Sequence, residues 1–248
     1  MQTLLSKNFS FFFVQNDQST RLLQDIGIKQ CQRAGDTRFD RVHQIVEKSE
    51  AIAIAKAFKG DQKVFVVGSC WLEDMDVLAP FINESRIKFI LAPHEVSEAS
   101  VSAIEKLLQV KHIRYSDADQ KNLDDYQVLL IDNIGMLSRL YRYGEFAYIG
   151  GAFGKGLHNI LEAACYGVPI FFGNKNFEKF QEAVDLINRG GAFEVSDYTD
   201  MKSKYEMLNI PESFLLACEV TRQYVEENLG ATEKIMKYCR ESLNRGER

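Results

Sequence analysis

The run Gly150-Gly151-Ala152-Phe153-Gly154-Lys155-Gly156-Leu157-His158-Asn159-Ile160-Leu161-Glu162 gathers several chemically useful residue types into one short stretch of a 248-residue chain. It follows the apolar run Phe146–Ile149 and precedes a helix-length segment, so it reads as strand, glycine loop, helix. Glycines let a backbone approach a ligand closely, and the unpaired N–H groups at a helix start favour phosphate. Asn159 and Glu162 stand one helical turn apart and share a face, the amide near a phosphate and the carboxylate able to accept from ribose hydroxyls. Gly154, Gly156 and His158 are further candidates inside the loop. The glycine spacing is not G-x-G-x-x-G, and no Gly-Lys-Ser/Thr follows, which weakens dinucleotide and ATP readings. Loops of this kind also serve to pack a strand tightly against a helix, and the loop alone leaves that alternative open.

Other residues with chemical capacity fall near strand ends. His94 follows an apolar run at the place where open α/β sheets bind ligands, or else it is a capping or solvent-facing histidine. His158 either contacts phosphate or holds the glycine loop. Ser69 bonds a ligand or caps the helix after it, with the cap the simpler reading. Trp71 stacks on a base or sugar, or it packs; Cys70 has no neighbouring base to make it a nucleophile. The acidic run Glu73-Asp74-Asp76 is expected to be the solvated first turn of a helix, not a metal site. His43 and His112 are assigned no role.

The elements that must position these residues alternate short apolar runs with amphipathic, helix-length segments, the pattern of a parallel sheet covered by helices. Strands are expected at Phe11–Gln15, Val64–Gly68, Ile87–Leu91, Val128–Ile131, Phe146–Ile149, Ile170–Phe172 and Ala192–Val195. Helices are expected at Asp17–Ile26, Arg41–Phe58, Leu72–Asn83, Ser97–Gln109, Met136–Tyr143, Asn159–Tyr166 and Phe177–Asn188. The fold class is therefore α/β, a Rossmann-like parallel sheet with helices on both faces. Residues 1–30 offer one strand and one helix, too little for a domain, and are expected to be a connecting segment or the end of a preceding domain. Residues 31–205 carry the Rossmann-like domain, and 206–248 one or two long amphipathic helices.

With 46% hydrophobic and 26% charged residues, the composition is that of an ordinary globular chain. A net charge of -5 and a pI near 5.5 argue against a general nucleic-acid binder, which needs a basic face to neutralise phosphates. The five cysteines are scattered, with no Cys-x-x-Cys spacing, so they read as reduced thiols and not as zinc or redox sites. The apolar run Phe11-Phe12-Phe13-Val14 is far shorter than the roughly 20 residues of a membrane span, and the start lacks the pattern of a signal peptide. The chain itself is expected to be soluble.

Taken together, Gly150-Gly151, Gly156, His158-Asn159, Leu161-Glu162, Gly167-Val168-Pro169, Gly173 and Asn176-Phe177 resemble the 3-deoxy-D-manno-octulosonic acid (Kdo) transferase family. Gly35-Asp36-Thr37-Arg38-Phe39-Asp40, Gly68-Ser69-Cys70-Trp71, Ala92-Pro93-His94 and Asp132-Asn133-Ile134-Gly135 extend the resemblance upstream, over about residues 10 to 195. The resemblance implies the C-terminal, donor-binding domain of a GT-B glycosyltransferase that moves Kdo from CMP-Kdo to the lipid A precursor in lipopolysaccharide biosynthesis, without a metal or other cofactor. It implies a CMP site made of Pro93, His94, Ile134, Gly135, Met136, Asn159, Ile160, Leu161 and Glu162. Arg38 would stabilise charge on the leaving phosphate, for which a forked guanidinium is suited, or else it is a structural arginine paired with Asp36 or Asp40. His94 departs from the family pattern, where an arginine commonly follows that proline. The general base and the membrane contact would lie in an N-terminal domain outside this chain. The full protein would then sit at the cytoplasmic side of the bacterial inner membrane, and this chain alone would be inactive. Two other classes stay open: a GT-B enzyme or epimerase using a UDP-sugar, and a non-catalytic α/β binding module.

Overall fold

Six of the expected apolar runs become neighbours in one sheet. The computed structural model describes residues 8–119 and 122–244. Its main sheet is built from β3 (Val64–Cys70), β4 (Lys88–Pro93), β5 (His112–Arg114), β6 (Val128–Leu130), β7 (Phe146–Ile149), β8 (Ile170–Gly173) and β9 (Ala192–Val195). All seven run parallel in the order β5-β6-β4-β3-β7-β8-β9. β4, β6, β7 and β8 are buried along their whole length, as strands covered on both faces must be.

Side chains alternate across the sheet. Phe65, Val67, Phe89, Leu91, Val128, Leu130, Phe146, Tyr148 and Phe171 share one face with residues of α4 (Leu72–Glu84), α5 (Glu98–Glu105), α9 (Tyr198–Leu208) and α10 (Pro211–Glu227). The ring of Phe65 lies 5.5–5.9 Å from those of Phe81, Phe89, Phe146 and Phe171. Each fully buried phenylalanine of this kind contributes about 2 kcal/mol by burial. The remaining elements around the sheet are α3 (Ala53–Lys59), α6 (Leu137–Leu140), α7 (Leu161–Ala164) and α8 (Gln181–Arg189).

The described chain packs as two compact units, Ile45–Tyr224 and Met1–Gln44 with Val225–Arg248. The sequence boundaries at 30 and 205 thus stand beside packing changes at Gln44 and Val225. In the smaller unit β1 (Phe12–Val14) pairs in parallel with β2 (Cys31–Arg33), and α1 (Asp17–Asp25) links them. Tyr238 of α11 (Ala231–Asn244) lies over Phe11 and Phe13, with ring centroids at 4.4 and 5.3 Å. Asp40, in α2 (Thr37–Lys48), accepts from the N–H groups of Gly230 and Thr232. Among the described residues no helix is long and apolar enough to cross a membrane.

Several expected elements differ. The helix over 41–58 is broken into α2 and α3, because the chain between them binds side chains from elsewhere. The Tyr143 hydroxyl accepts from Ile52 N and donates to Ile52 O, while Arg142 donates to the carbonyls of Val46 and Ser49. The segment over 136–143 is α6 followed by a 3₁₀ turn, Tyr141–Tyr143. The helix over 159–166 shrinks to the four residues of α7. β2 and β5 were not expected: each has only three residues, Cys31-Gln32-Arg33 and His112-Ile113-Arg114, and neither carries an apolar run. α9 was also not expected as a separate helix.

Candidate functional site

The chain leaves β3 for β4, β5 and β6 on one side, then returns to β7 on the other, so the winding reverses between β3 and β7. In open α/β sheets the crevice beyond the carboxyl ends at such a reversal is where ligands bind. Here those ends are Gly68-Ser69-Cys70 and Gly150-Gly151, flanked by Pro93-His94 after β4 and residues 131–136 after β6. The strands are parallel, so all four exits lie along the same edge.

The β7 exit is a closed loop. Gly150 N donates to Gly68 O, and His158 N donates back to Gly150 O at 3.2 Å. The Gly151 carbonyl accepts from Gly154 N at 3.0 Å and Gly156 N at 2.9 Å. Gly151 has a φ of 95°, and a Cβ there would stand 2.5 Å from Gly156 O. A Cβ on Gly150 would run into Ser69 O and come to 2.7 Å from Asp74 Oδ2. Both positions therefore need glycine. The amides of Gly154 and Gly156, candidates for phosphate binding, are spent closing the loop. Those of Ala152, Phe153 and Lys155 have no acceptor among the described residues. Asn176, at a φ of 53°, donates its side-chain amide to the carbonyls of Ala152 at 3.1 Å and Gly154 at 3.0 Å.

Three lysines stand around the loop. The Lys155 ammonium lies 4.2 Å from the Trp71 ring centroid, and that of Lys175 5.9 Å from the Phe153 ring. Lys179 Nζ lies 3.5 Å from the Cβ position of Gly156. None of the three pairs with a carboxylate among the described residues. The Glu73 carboxylate stands beside the same loop, 3.7 Å from the Cβ position of Gly154.

Asn159 and Glu162 meet as their spacing suggested. Asn159 donates to Glu162 Oε1 at 3.1 Å and accepts from Leu161 N at 3.3 Å. Burial pushes the Glu162 carboxyl above its ordinary value, opposed by the hydrogen bond from Asn159. Ile160 and Leu161 are 1% and 0% exposed, so their side chains belong to the core and only their backbone is left for a ligand. With α7 only four residues long, the helix-end contribution expected behind the loop is much reduced.

After β6, Asp132 accepts from Ser116 N at 3.1 Å and also pairs with the Ser116 hydroxyl, which anchors residues 131–136. Gly135 takes a φ of 91°, Met136 is buried, and Ile134 is 86% exposed, an apolar side chain held out at the strand end. Pro93 is buried as the last residue of β4, and His94 N donates to Cys70 O at 2.8 Å.

The histidines and the tryptophan form one cluster. Trp71 Nε1 donates to His158 Nε2 at 2.9 Å, and the two rings are nearly coplanar, 11° apart. The His94 ring stacks on both, with centroids at 4.2 and 4.4 Å. Burial and the neighbouring His94 hold the His158 imidazole below its ordinary value, which suits its role as acceptor for the indole. Trp71 thus binds side chains of two other strand exits.

Two expectations at the β3 exit are corrected. Ser69 does not cap α4: it lies within β3 at a φ of 51°, and the cap is Trp71, whose N–H is accepted by Asp74. Nor is the acidic run a solvated turn throughout. Glu73 and Asp76 are exposed, but Asp74 is 0% exposed and accepts three hydrogen bonds of 2.9 Å, from Trp71 N, Gly151 N and the Tyr148 hydroxyl. The carboxylate three residues after the cap was readable as a capping signal. The Gly151 partner, 77 positions away, was not. Cys70 is buried with its thiol pushed well up by desolvation, and so is inert.

Arg38 lies in the smaller unit. Its Nε and Nη2 hold Asp36 Oδ2 at 2.8 and 2.7 Å, the local pairing that was its structural alternative. Among the described residues no group of three or more His, Cys, Asp or Glu side chains could hold a metal ion.

The sheet order and the strand-end site define a Rossmann-like α/β domain. No protein-family model matches the chain. A 3-deoxy-D-manno-octulosonic acid transferase from Aquifex aeolicus is 26% identical over 218 residues, which cover 85% of this chain and 57% of that protein. The C-terminal CMP-Kdo binding domain of WaaA from Acinetobacter baumannii superimposes with a TM-score of 0.58 at 19% identity, covering 76% of this chain and 98% of that one. The Staphylococcus aureus MnaA–UDP co-structure gives a TM-score of 0.62 at 13% identity, covering 94% of this chain and 61% of that one. The chain is similar in sequence to 3-deoxy-D-manno-octulosonic acid transferases and shares its fold with the C-terminal CMP-Kdo binding domain of WaaA. It spans 57% and 50% of the length of two such relatives.

Proposed function

We propose that this chain is the donor half of a Kdo transferase, holding CMP-Kdo at the carboxyl edge of the sheet. The observation that carries the proposal is the convergence at the reversal point of a closed glycine loop, three unpaired lysines, and the Asn159–Glu162 pair. The free loop amides of Ala152, Phe153 and Lys155, with the ammonium groups, take the phosphate. Glu162, with Oε1 already bound to Asn159, offers Oε2 to the ribose hydroxyls. Pro93, His94, Ile134 and Met136 line the base side. For Arg38, a permanent cation, the resemblance to the Kdo transferases supports the role of countering charge on the leaving CMP without a metal.

In the whole protein a general base from the other half deprotonates the acceptor hydroxyl of the lipid A precursor for attack on the anomeric carbon, and CMP departs. That reaction belongs at the cytoplasmic face of a bacterial inner membrane, with membrane contact made by the other half. This chain alone binds donor but does not turn over.

Calorimetry with CMP and UMP on wild type and Glu162→Ala tests the reading. CMP should bind at least tenfold more tightly than UMP, and Glu162→Ala should weaken CMP about tenfold, roughly 1.4 kcal/mol. A preference for UMP would move the chain to the UDP-sugar enzymes or epimerases. Absence of nucleotide binding would leave a non-catalytic module, and turnover of CMP-Kdo by this chain alone would overturn the division of labour.

A further inference from the structure

The geometry points to Asp74 as the positioning residue of the glycine loop: its carboxylate holds Gly151 and Trp71 in place, and through them sets the shape in which the loop meets an anionic ligand. Asp74 is fully buried, and one oxygen, Oδ2, accepts both Trp71 N and Gly151 N at 2.9 Å, while Oδ1 accepts from Tyr148. Gly151 is the hub of the loop, since its carbonyl in turn accepts from Gly154 N and Gly156 N. One carboxylate oxygen therefore fixes the peptide on which the loop closes. Trp71 is fixed from both ends, by Asp74 at its N–H and by His158 at its indole. His158 N also closes on Gly150 O, so the chain of contacts from Asp74 returns to the loop at its far side.

The alternative is that Asp74 only caps α4. A cap requires the bond to Trp71 N and nothing from β7. The close fit of Gly150, whose Cβ would come to 2.7 Å from Asp74 Oδ2, shows that the β7 exit is shaped around this carboxylate. Burial pushes the carboxyl up, with the hydrogen bonds from Trp71, Gly151 and Tyr148 opposing it. A carboxylate kept in that setting holds two backbone donors that would otherwise be buried without partners.

The inference rests on the loop being the phosphate-contacting element, and its test separates the two. Asp74→Ala removes the acceptor, and Asp74→Asn keeps it: the amide oxygen takes the place of Oδ2, and the amide nitrogen faces the Tyr148 hydroxyl, which turns to accept. Leu129→Ala, a core substitution in β6 away from the loop, serves as a control of comparable instability. Two measurements are made on each folded protein, CMP affinity by calorimetry and amide hydrogen exchange. Asp74→Ala should lose at least tenfold in CMP affinity and exchange faster at residues 151–158, with strands β5 and β6 unchanged. Asp74→Asn should restore both to within about threefold, and Leu129→Ala should leave both unchanged. If Asp74→Ala keeps the wild-type protection at 151–158, or if Leu129→Ala loses CMP to the same extent, Asp74 is a structural cap and the inference is wrong. If no variant and no wild type binds CMP, the donor-site reading fails, and the exchange data still decide the role of Asp74.

Discussion

The chain leaves β7 and β3 side by side at the middle of the sheet, and the two exits reach a fixed shape by opposite means. The β7 exit uses an absence of side chains: Gly150 and Gly151 admit backbone and side-chain atoms to distances that no Cβ tolerates. The β3 exit uses side chains, a tryptophan that binds a histidine across the edge and a buried aspartate that binds both exits. Neither exit is formed alone. A ligand-contacting loop made of glycines has little to hold it in one conformation, and the large, hydrogen-bonded residues of the neighbouring exit supply that constraint.

The largest effect should come from filling the β7 exit. Gly150→Ala drives a methyl group into Ser69 O and Asp74 Oδ2, and should cost about 3 kcal/mol with loss of CMP binding, read by denaturant unfolding and calorimetry. A loss below about 1 kcal/mol would mean that the two exits are not packed to a limit. Next, Trp71→Phe keeps a six-membered aromatic ring but removes the five-membered ring with its donor to His158, and should cost at least about 1 kcal/mol in unfolding free energy. Equal stability of the two proteins would break the link between β3 and β7.

Two smaller effects concern pH. The Asp74 carboxyl is raised by burial, so the stability it contributes is present below the ordinary carboxylate range and lost as pH rises through its raised value. Asp74→Asn has no such loss, so its stability relative to wild type should improve as pH rises from the ordinary carboxylate range through the raised value. A difference that does not change with pH would show that Asp74 is not desolvated as described. His158 is lowered, so its contribution is present above the ordinary histidine value and lost as pH falls from there towards the lowered one. Wild type should therefore lose stability on mild acidification relative to His158→Gln, by the smallest margin of the four, and identical slopes would remove the imidazole from the constraint.

The fold was readable because its strands are runs of apolar residues long enough to be buried on both faces, and their order follows from ordinary connections. β2 and β5 escaped because three residues, in β5 a single isoleucine between two polar side chains, are too few to show a period. At the site, the glycine loop and the Asn159–Glu162 pair declare themselves by local spacing. Ile160 and Leu161 could not be sorted into core and surface by spacing alone, because a four-residue helix has too few positions to show a face. Asp74 was misread for a related reason. An acidic residue in the first turn of a helix is ordinarily solvated, and what buries this one is a strand far along the sequence that brings Tyr148 and Gly151 against it. Trp71, His94 and His158 likewise lie on three separate exits, and nothing in their individual neighbourhoods announces the stack.

Trp71 is the single tryptophan of the chain, and it stands within the candidate site with its indole N–H bound to one histidine and its face covered by another. The protein therefore carries one intrinsic fluorophore, located where occupancy would be felt. Its emission should report ligand entry, displacement of Lys155 from the indole face, and protonation of His158, since a charged imidazole quenches indole, without any label being attached.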